Sequence, residues 1–278
     1  MNRFHNEKAI YIRQVAIRVI NIEKSTKFYQ DVFGFAVINK NKNEVEMGVD
    51  NRPLLVLKQA KSPKQISAAG LYHIAYLVPN RSDLANWLYY QLQNNARFEG
   101  ASFHGVSEAI YLRDIDGNGI EVYTDTPVAT WSWKGGKVKM VTEALDIDDL
   151  LSSITNPIPN LPDNTIIGHV HLSVLNLEAS KNFYQMLGFN TVLEMKNAVF
   201  LSSQNYHHHL GMNVWNMNKA KKHLNTQSDI DYFVITYPGK EEIDQVLANL
   251  DNNKIIYEKN NNYIKVIDVN GIEIHLVA

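Results

Sequence analysis

Ten histidines and no cysteine set the terms for any chemistry in this 278-residue chain. A bound metal would have to take imidazole, carboxylate, amide oxygen or water, because thiolate ligands, disulfides and a cysteine nucleophile are all excluded. His73 stands inside the apolar run GLYHIAYLV (70–78). Glu121 lies between Ile120 and Val122, and Glu273 between Ile272 and Ile274, so each alternates with apolar residues as a side chain facing an interior would. A buried carboxylate without a partner is costly, so one facing inward calls for a cation or donor. His207, His208 and His209 are consecutive. On a strand, His207 and His209 would point one way and His208 the other, which turns at least one inward. Each residue also has a plainer reading. His73 can be a satisfied core histidine, the glutamates can face water near strand ends, and the triplet can be a polar strand surface. Tyr111 can be core with its hydroxyl on a backbone acceptor, and His171 packing or surface, turned from the neighbours of His169.

The elements that must position these residues come as a repeat. IRQVAIRVINIEKSTKFYQDVFGF (12–35) and IGHVHLSVLNLEASKNFYQMLGF (167–189) share an alternating apolar run, Asn-(Ile/Leu)-Glu-x-Ser, then Phe-Tyr-Gln and a Gly-Phe stop. More weakly, 70–123 resembles 230–275, and NGIEV and NGIEI stand near their ends. The chain therefore reads as four modules in which the first matches the third and the second the fourth. In module 1, alternation at Val15, Ile17 and Val19 gives a strand, Asn21 caps a helix that Gly34 ends, and three more strands follow. The pattern is βαβββ. Module 2 repeats it, with a helix over 82–94 that Asp83 could help cap, and the glycines of DIDGNG (114–119) permit positive φ in its last turn. Helices over 177–186 and 241–251 complete the set. Between the halves, 124–165 carries Trp131 and Trp133, a capped helix at 146–152 and a proline-rich stretch at Pro157, Pro159 and Pro162, which reads as a linker whose tryptophans pack against a domain.

A net charge of −2 and no basic stripe give no electrostatic reason to expect nucleic acid or an anionic membrane. The first residues lack the apolar core of a signal peptide and no run approaches a membrane span, so a cytoplasmic location is expected.

The FYQDVFGF element, the DIDGNGIE turn and the fourfold repeat, with WSWKGGKVKMVTEALDIDDLL (131–151) and YHHHLGMNVW (206–215), resemble the vicinal oxygen chelate superfamily, which holds glyoxalases and extradiol dioxygenases. Over nearly its whole length the chain is similar to two-domain catechol 2,3-dioxygenase-like proteins. The resemblance implies an α+β fold of four βαβββ modules paired into two domains. These are expected at 1–125 (modules 12–60 and 70–125) and 166–278 (modules 166–216 and 229–278), joined by a linker at 126–165. Modules exchanged between the halves are the other arrangement such a superfamily allows. It also implies a 2-His-1-carboxylate metal site, which leaves three coordination positions for substrate and O2. Carried over residue by residue, the first domain offers Gln14, His73 and Glu121. A second, weaker set is His169 and Glu273, with an aromatic, Phe233 or Tyr232, where the other imidazole belongs. By the same resemblance His104 and Tyr111 hydrogen-bond substrate and reacting oxygen, and His208 is the acid–base residue. The turn of module 4 aligns as two residues shorter.

The activity implied is extradiol ring cleavage of a small catechol-like aromatic with O2, on a divalent metal, Fe(II) first. A neutral Gln14 ligand favours Zn, Mn or Ni and a glyoxalase-type lyase or isomerase step instead. Divergence between the copies leaves a third reading, a non-catalytic small-molecule-binding protein. A homo-oligomer is left open.

Overall fold

In the computed structural model, which describes residues 3–65, 67–215, 217 and 220–278, all four modules form as βαβββ units. Module 1 comprises β1 (Tyr11–Val19), α1 (Ile22–Phe33), β2 (Ala36–Lys40), β3 (Glu44–Val49) and β4 (Arg52–Gln59). Module 2 comprises β5 (Gly70–Leu77), α2 (Arg81–Gln93), β6 (Gly100–Phe103), β7 (Ser107–Arg113) and β8 (Gly119–Asp125). The linker holds a hairpin of β9 (Trp133–Lys134) and β10 (Lys137–Val138), then β11 (Glu143–Ala144) and α3 (Ile147–Leu151). Module 3 is β12 (Ile166–Ser173), α4 (Leu177–Met186), β13 (Asn190–Met195), β14 (Ala198–Ser202) and β15 (Leu210–Asn213). Module 4 is β16 (Asp229–Thr236), α5 (Lys240–Asn252), β17 (Tyr257–Lys259), β18 (Ile264–Ile267) and β19 (Glu273–Val277).

Local chemistry sets the element ends. Asn21, Asn80 and Asn176 each accept the amide three residues on, at the starts of α1, α2 and α4. The cap of α2 is thus Asn80, and Asp83 supplies the amide it accepts. Trp131 is buried against Phe4 and Tyr206, as a packing residue. Among the described residues no helix is long and apolar enough to cross a membrane.

The modules pair across the halves of the chain. One sheet has the order β17-β18-β19-β16-β1-β4-β3-β2 and joins module 4 to module 1 through antiparallel β16 and β1. The other runs β11-β6-β7-β8-β5-β12-β15-β14-β13 and joins module 2 to module 3 through antiparallel β5 and β12. The grouping of modules 12–60 with 70–125, and of 166–216 with 229–278, therefore gives way to the exchanged arrangement. The physical reason is that every module offers the same edge, its first strand. The sequence repeat defines the unit and leaves its partner undetermined.

The two most repeated motifs meet in this arrangement. Tyr29 of the first Phe-Tyr pair donates to Asp114 Oδ2 at 3.1 Å, and Tyr184 of the second donates to Asp268 Oδ2 at 3.0 Å. Asp114 Oδ1 accepts the amides of Asp116 and Asn118; Asp268 Oδ1 accepts those of Asn270 and Ile272. The glycine three residues after each aspartate has positive φ, 84° at Gly117 and 93° at Gly271. Each tyrosine sits in one sheet's module and its aspartate in the other's, so these buried bonds tie the sheets together. The turns of modules 2 and 4 have the same length and hydrogen bonds, which corrects the apparent two-residue shortening.

Candidate metal centre

The strands β5 and β12 pair antiparallel near the middle of the nine-stranded sheet. His73 pairs with His171 and Ala75 with His169, so His73 and His169 are diagonal neighbours on one face. On the other side of β5, parallel β8 places Glu121 beside Ala75. The three side chains converge. His73 Nε2 lies 3.1 Å and His169 Nε2 3.3 Å from Glu121 Oε2, and the two imidazole nitrogens are 3.2 Å apart. All three residues are buried. Burial holds both imidazoles well below the ordinary histidine range, with Glu121 opposing the shift at His73. Both rings are thus neutral, as a metal ligand requires.

The triangle fits a first-row divalent ion. Three atoms about 2.1 Å from such an ion lie about 3.0 Å apart on an octahedral face and about 3.4 Å apart in a tetrahedron. The observed edges of 3.1, 3.2 and 3.3 Å fall between these values.

A cavity of about 640 Å³ opens over the triangle. Tyr72, Phe200, Met195 and Trp215 give it an apolar wall, and Met140, Val141 and Thr142 of the linker close one side. His104 ties that linker segment down, its Nδ1 lying 2.8 Å from the Val141 carbonyl oxygen. A carbonyl only accepts, so the proton is on Nδ1, and the Tyr111 hydroxyl donates to Nε2 at 2.8 Å. Burial, then Glu121, pushes the Tyr111 hydroxyl far above its usual range. His171 also lines the cavity, with burial lowering it to about 3, and its Nε2 accepts from Asn213.

The expected set Gln14, His73 and Glu121 is not brought together. Gln14 sits on β1 in the other sheet and donates to the Pro53 carbonyl. The third member beside His73 and Glu121 is His169, expected instead in a second site with Glu273. His171, expected to turn away from the neighbours of His169, shares its face two residues on and lines the cavity. His207, His208 and His209 lie in the loop between β14 and β15 rather than on a strand, and all three are buried. Only His208 lines the cavity, together with His104 and Tyr111. The linker residues and Trp215 lie in segments that carry the family resemblance, but nothing in the sequence says which cup a connecting segment covers.

The other cup carries an aromatic stack at the matching position. Gln14 and His275 both pair with Val234, as His169 and Glu121 both pair with Ala75. The structural counterparts of the triangle are therefore Gln14, Tyr232 and His275. The repeated NGIE string aligned Glu273 with Glu121, but the equal turns place His275 there. The His275 ring is stacked between Tyr232 at 4.1 Å and Tyr263 at 3.9 Å, and its Nε2 is 2.7 Å from Glu273 Oε1.

The Glyoxalase/Bleomycin resistance protein/Dioxygenase superfamily model matches residues 11–122. A Bacillus subtilis (strain 168) protein named catechol-2,3-dioxygenase is 37% identical over 287 aligned residues, covering all of both chains. Among solved structures, one from Bacillus subtilis subsp. subtilis str. 168 is 11% identical with a TM-score of 0.67, covering 98% of this chain and 86% of that one. Glyoxalase I from Zea mays is 14% identical with a TM-score of 0.54, covering 97% and 92%. The chain belongs to the glyoxalase/bleomycin resistance protein/dioxygenase superfamily.

Proposed function

We propose that the chain is a metal-dependent extradiol dioxygenase that opens the ring of a small catechol-type aromatic. The observation that carries this reading is the triangle of His73, His169 and Glu121, two imidazoles and one carboxylate at the floor of a largely apolar cavity. The full-length similarity to a protein named catechol-2,3-dioxygenase supports it. A divalent ion held by these three groups, Fe(II) in this reading, would supply a Lewis acid for two neighbouring phenolic oxygens and a redox partner for O2.

The remaining chemistry falls to the cavity walls. Tyr72, Phe200 and Trp215 present rings against which an aromatic substrate packs. His208, at the cavity wall, takes a proton from a catechol hydroxyl, and the Tyr111 hydroxyl, turning from His104 Nε2, donates to the developing oxygen charge. The linker segment 140–142 keeps water from that side. The carbon–carbon bond beside the diol breaks, and both atoms of O2 enter the product.

Two features of the sequence favour other chemistry: a neutral Gln14 ligand, pointing to a glyoxalase-type step on Zn, Mn or Ni, and copies that have each lost part of the site, pointing to a binding protein. Module exchange removes both, because Gln14 lies in the other cup and His169 completes the set. The test is oxygen uptake with catechol after anaerobic iron(II) loading. Uptake by the wild type and its loss in Glu121→Ala, by at least about 100-fold, is the expected result. Loaded protein that consumes no oxygen with any catechol contradicts the proposal.

A further inference from the structure

Behind the cavity wall, the loop between β14 and β15 carries a second polar chain. His208 lines the cavity, with its ring centroid 4.0 Å from that of His169. Its Nδ1 lies 2.8 Å from His207 Nδ1, and His207 Nε2 lies 2.9 Å from Asp125 Oδ1. Asp125 Oδ1 also accepts from the Tyr206 hydroxyl at 3.0 Å, and that hydroxyl is 2.7 Å from Tyr123 Oη. The His207 side chain is fully buried and that of Asp125 only 16% exposed. This chain is built from both modules of the sheet, Asp125 ending β8 and the histidines preceding β15.

We infer that Asp125 and His207 are positioning residues that fix which ring nitrogen of His208 carries the proton. A carboxylate can only accept, so His207 donates to Asp125 from Nε2. In a neutral His207 with its proton there, Nδ1 is a bare acceptor. Two bare nitrogens do not attract across 2.8 Å, so His208 carries its proton on Nδ1 and donates it to His207. Nε2 of His208 is left bare, the nitrogen available to the cavity that the ring lines. A group meant to accept a substrate proton needs such a bare nitrogen already in place. Tyr206, by donating to the same carboxylate oxygen, holds Asp125 in the one position that serves His207.

The catalytic consequence rests on the dioxygenase reading; the tautomer rests on geometry alone, and the experiment separates them. Protein labelled with 15N-histidine and loaded with diamagnetic zinc is studied by long-range proton–nitrogen correlation at neutral pH. The His207 and His208 signals are assigned by their loss in His207→Gln and His208→Gln. The wild type is expected to show Nε2–H at His207 and Nδ1–H at His208. Asp125→Ala is expected to scramble both, and in the iron-loaded enzyme to lower kcat about 10-fold or more with KM and metal content unchanged. An Nε2–H signal at His208 in the wild type overturns the inference, whatever the variant does, and so does an Asp125→Ala spectrum identical to wild type. Nδ1–H at His208 in a protein that consumes no oxygen upholds the tautomer and overturns the dioxygenase reading instead.

Discussion

Replacing Tyr29 by Phe deletes one hydroxyl and leaves the rest of its environment intact. The ring is fully buried, with centroids 5.2 Å from Phe28, 5.7 Å from Phe33 and 6.3 Å from Phe35, and Phe keeps those contacts. What is lost is the donor to Asp114 Oδ2, itself buried. A hydrogen bond to a charged group contributes about 1.5–3 kcal/mol. With an unfolding entropy of about 2.1 cal/mol/K per residue, a chain of this length has ~0.6 kcal/mol/K, so Tm should fall by about 3–5 °C. The loss should depend on pH. Burial raises the Asp114 carboxyl above its ordinary value and the Tyr29 hydroxyl pulls it back down. Removing that hydroxyl raises the native pKa further, so the cost is full where the carboxyl is ionised and fades as pH falls through the native pKa. Differential scanning calorimetry at neutral pH and near pH 4 measures both effects, and Tyr184→Phe should reproduce them through Asp268. A Tm within about 1 °C of wild type at neutral pH would refute the view that the Phe-Tyr and Asp-x-x-Gly motifs are repeated because they bond across the sheets.

Glu273 offers a pH test of the other cup. Its bond to His275 holds the carboxyl below the ordinary 4.5, so its contribution to stability is present above that value and is lost as pH falls through the lowered native pKa. Glu273→Gln should therefore flatten the acid limb of a stability–pH curve recorded by urea unfolding, and an unchanged limb would show the bond contributes nothing. His104→Phe should release the Val141 carbonyl and loosen the linker wall. Amide exchange at 139–144 is then expected to accelerate about 10-fold, with the triangle's metal affinity unchanged; unaltered exchange there would show that His104 does not hold the segment.

How much of this was legible in the sequence depends on the kind of information each feature needs. The βαβββ units are local: Asn21 and Asn176 cap, Gly34 stops, and alternation marks the strands, so they read directly. His73, Glu121 and His169 each read as potential ligands through the family resemblance, which aligns one module at a time and so needs only local information. Their association was not legible. It depends on whether β5 pairs with β1 or with β12, and the similar first strands of the four modules present the same edge to either. The same limit produced the Gln14 assignment. The error at Glu273 has a different origin: the NGIE string recurs two residues out of step with the turns, and the buried Tyr–Asp bonds, which a sequence does not display, fix the true register.

Modules 2 and 3 together supply the three candidate ligands, His73 and Glu121 from one and His169 from the other. The most direct measurement is zinc and iron(II) affinity, by titration calorimetry, of wild type, His169→Ala and Gln14→Ala. Loss of an outer partner of a ligand costs about 10–100-fold, so removal of His169 itself should weaken binding by at least about 100-fold, while Gln14→Ala, in the other sheet, should bind as wild type does. Weakened binding in Gln14→Ala with His169→Ala unaffected would contradict the account.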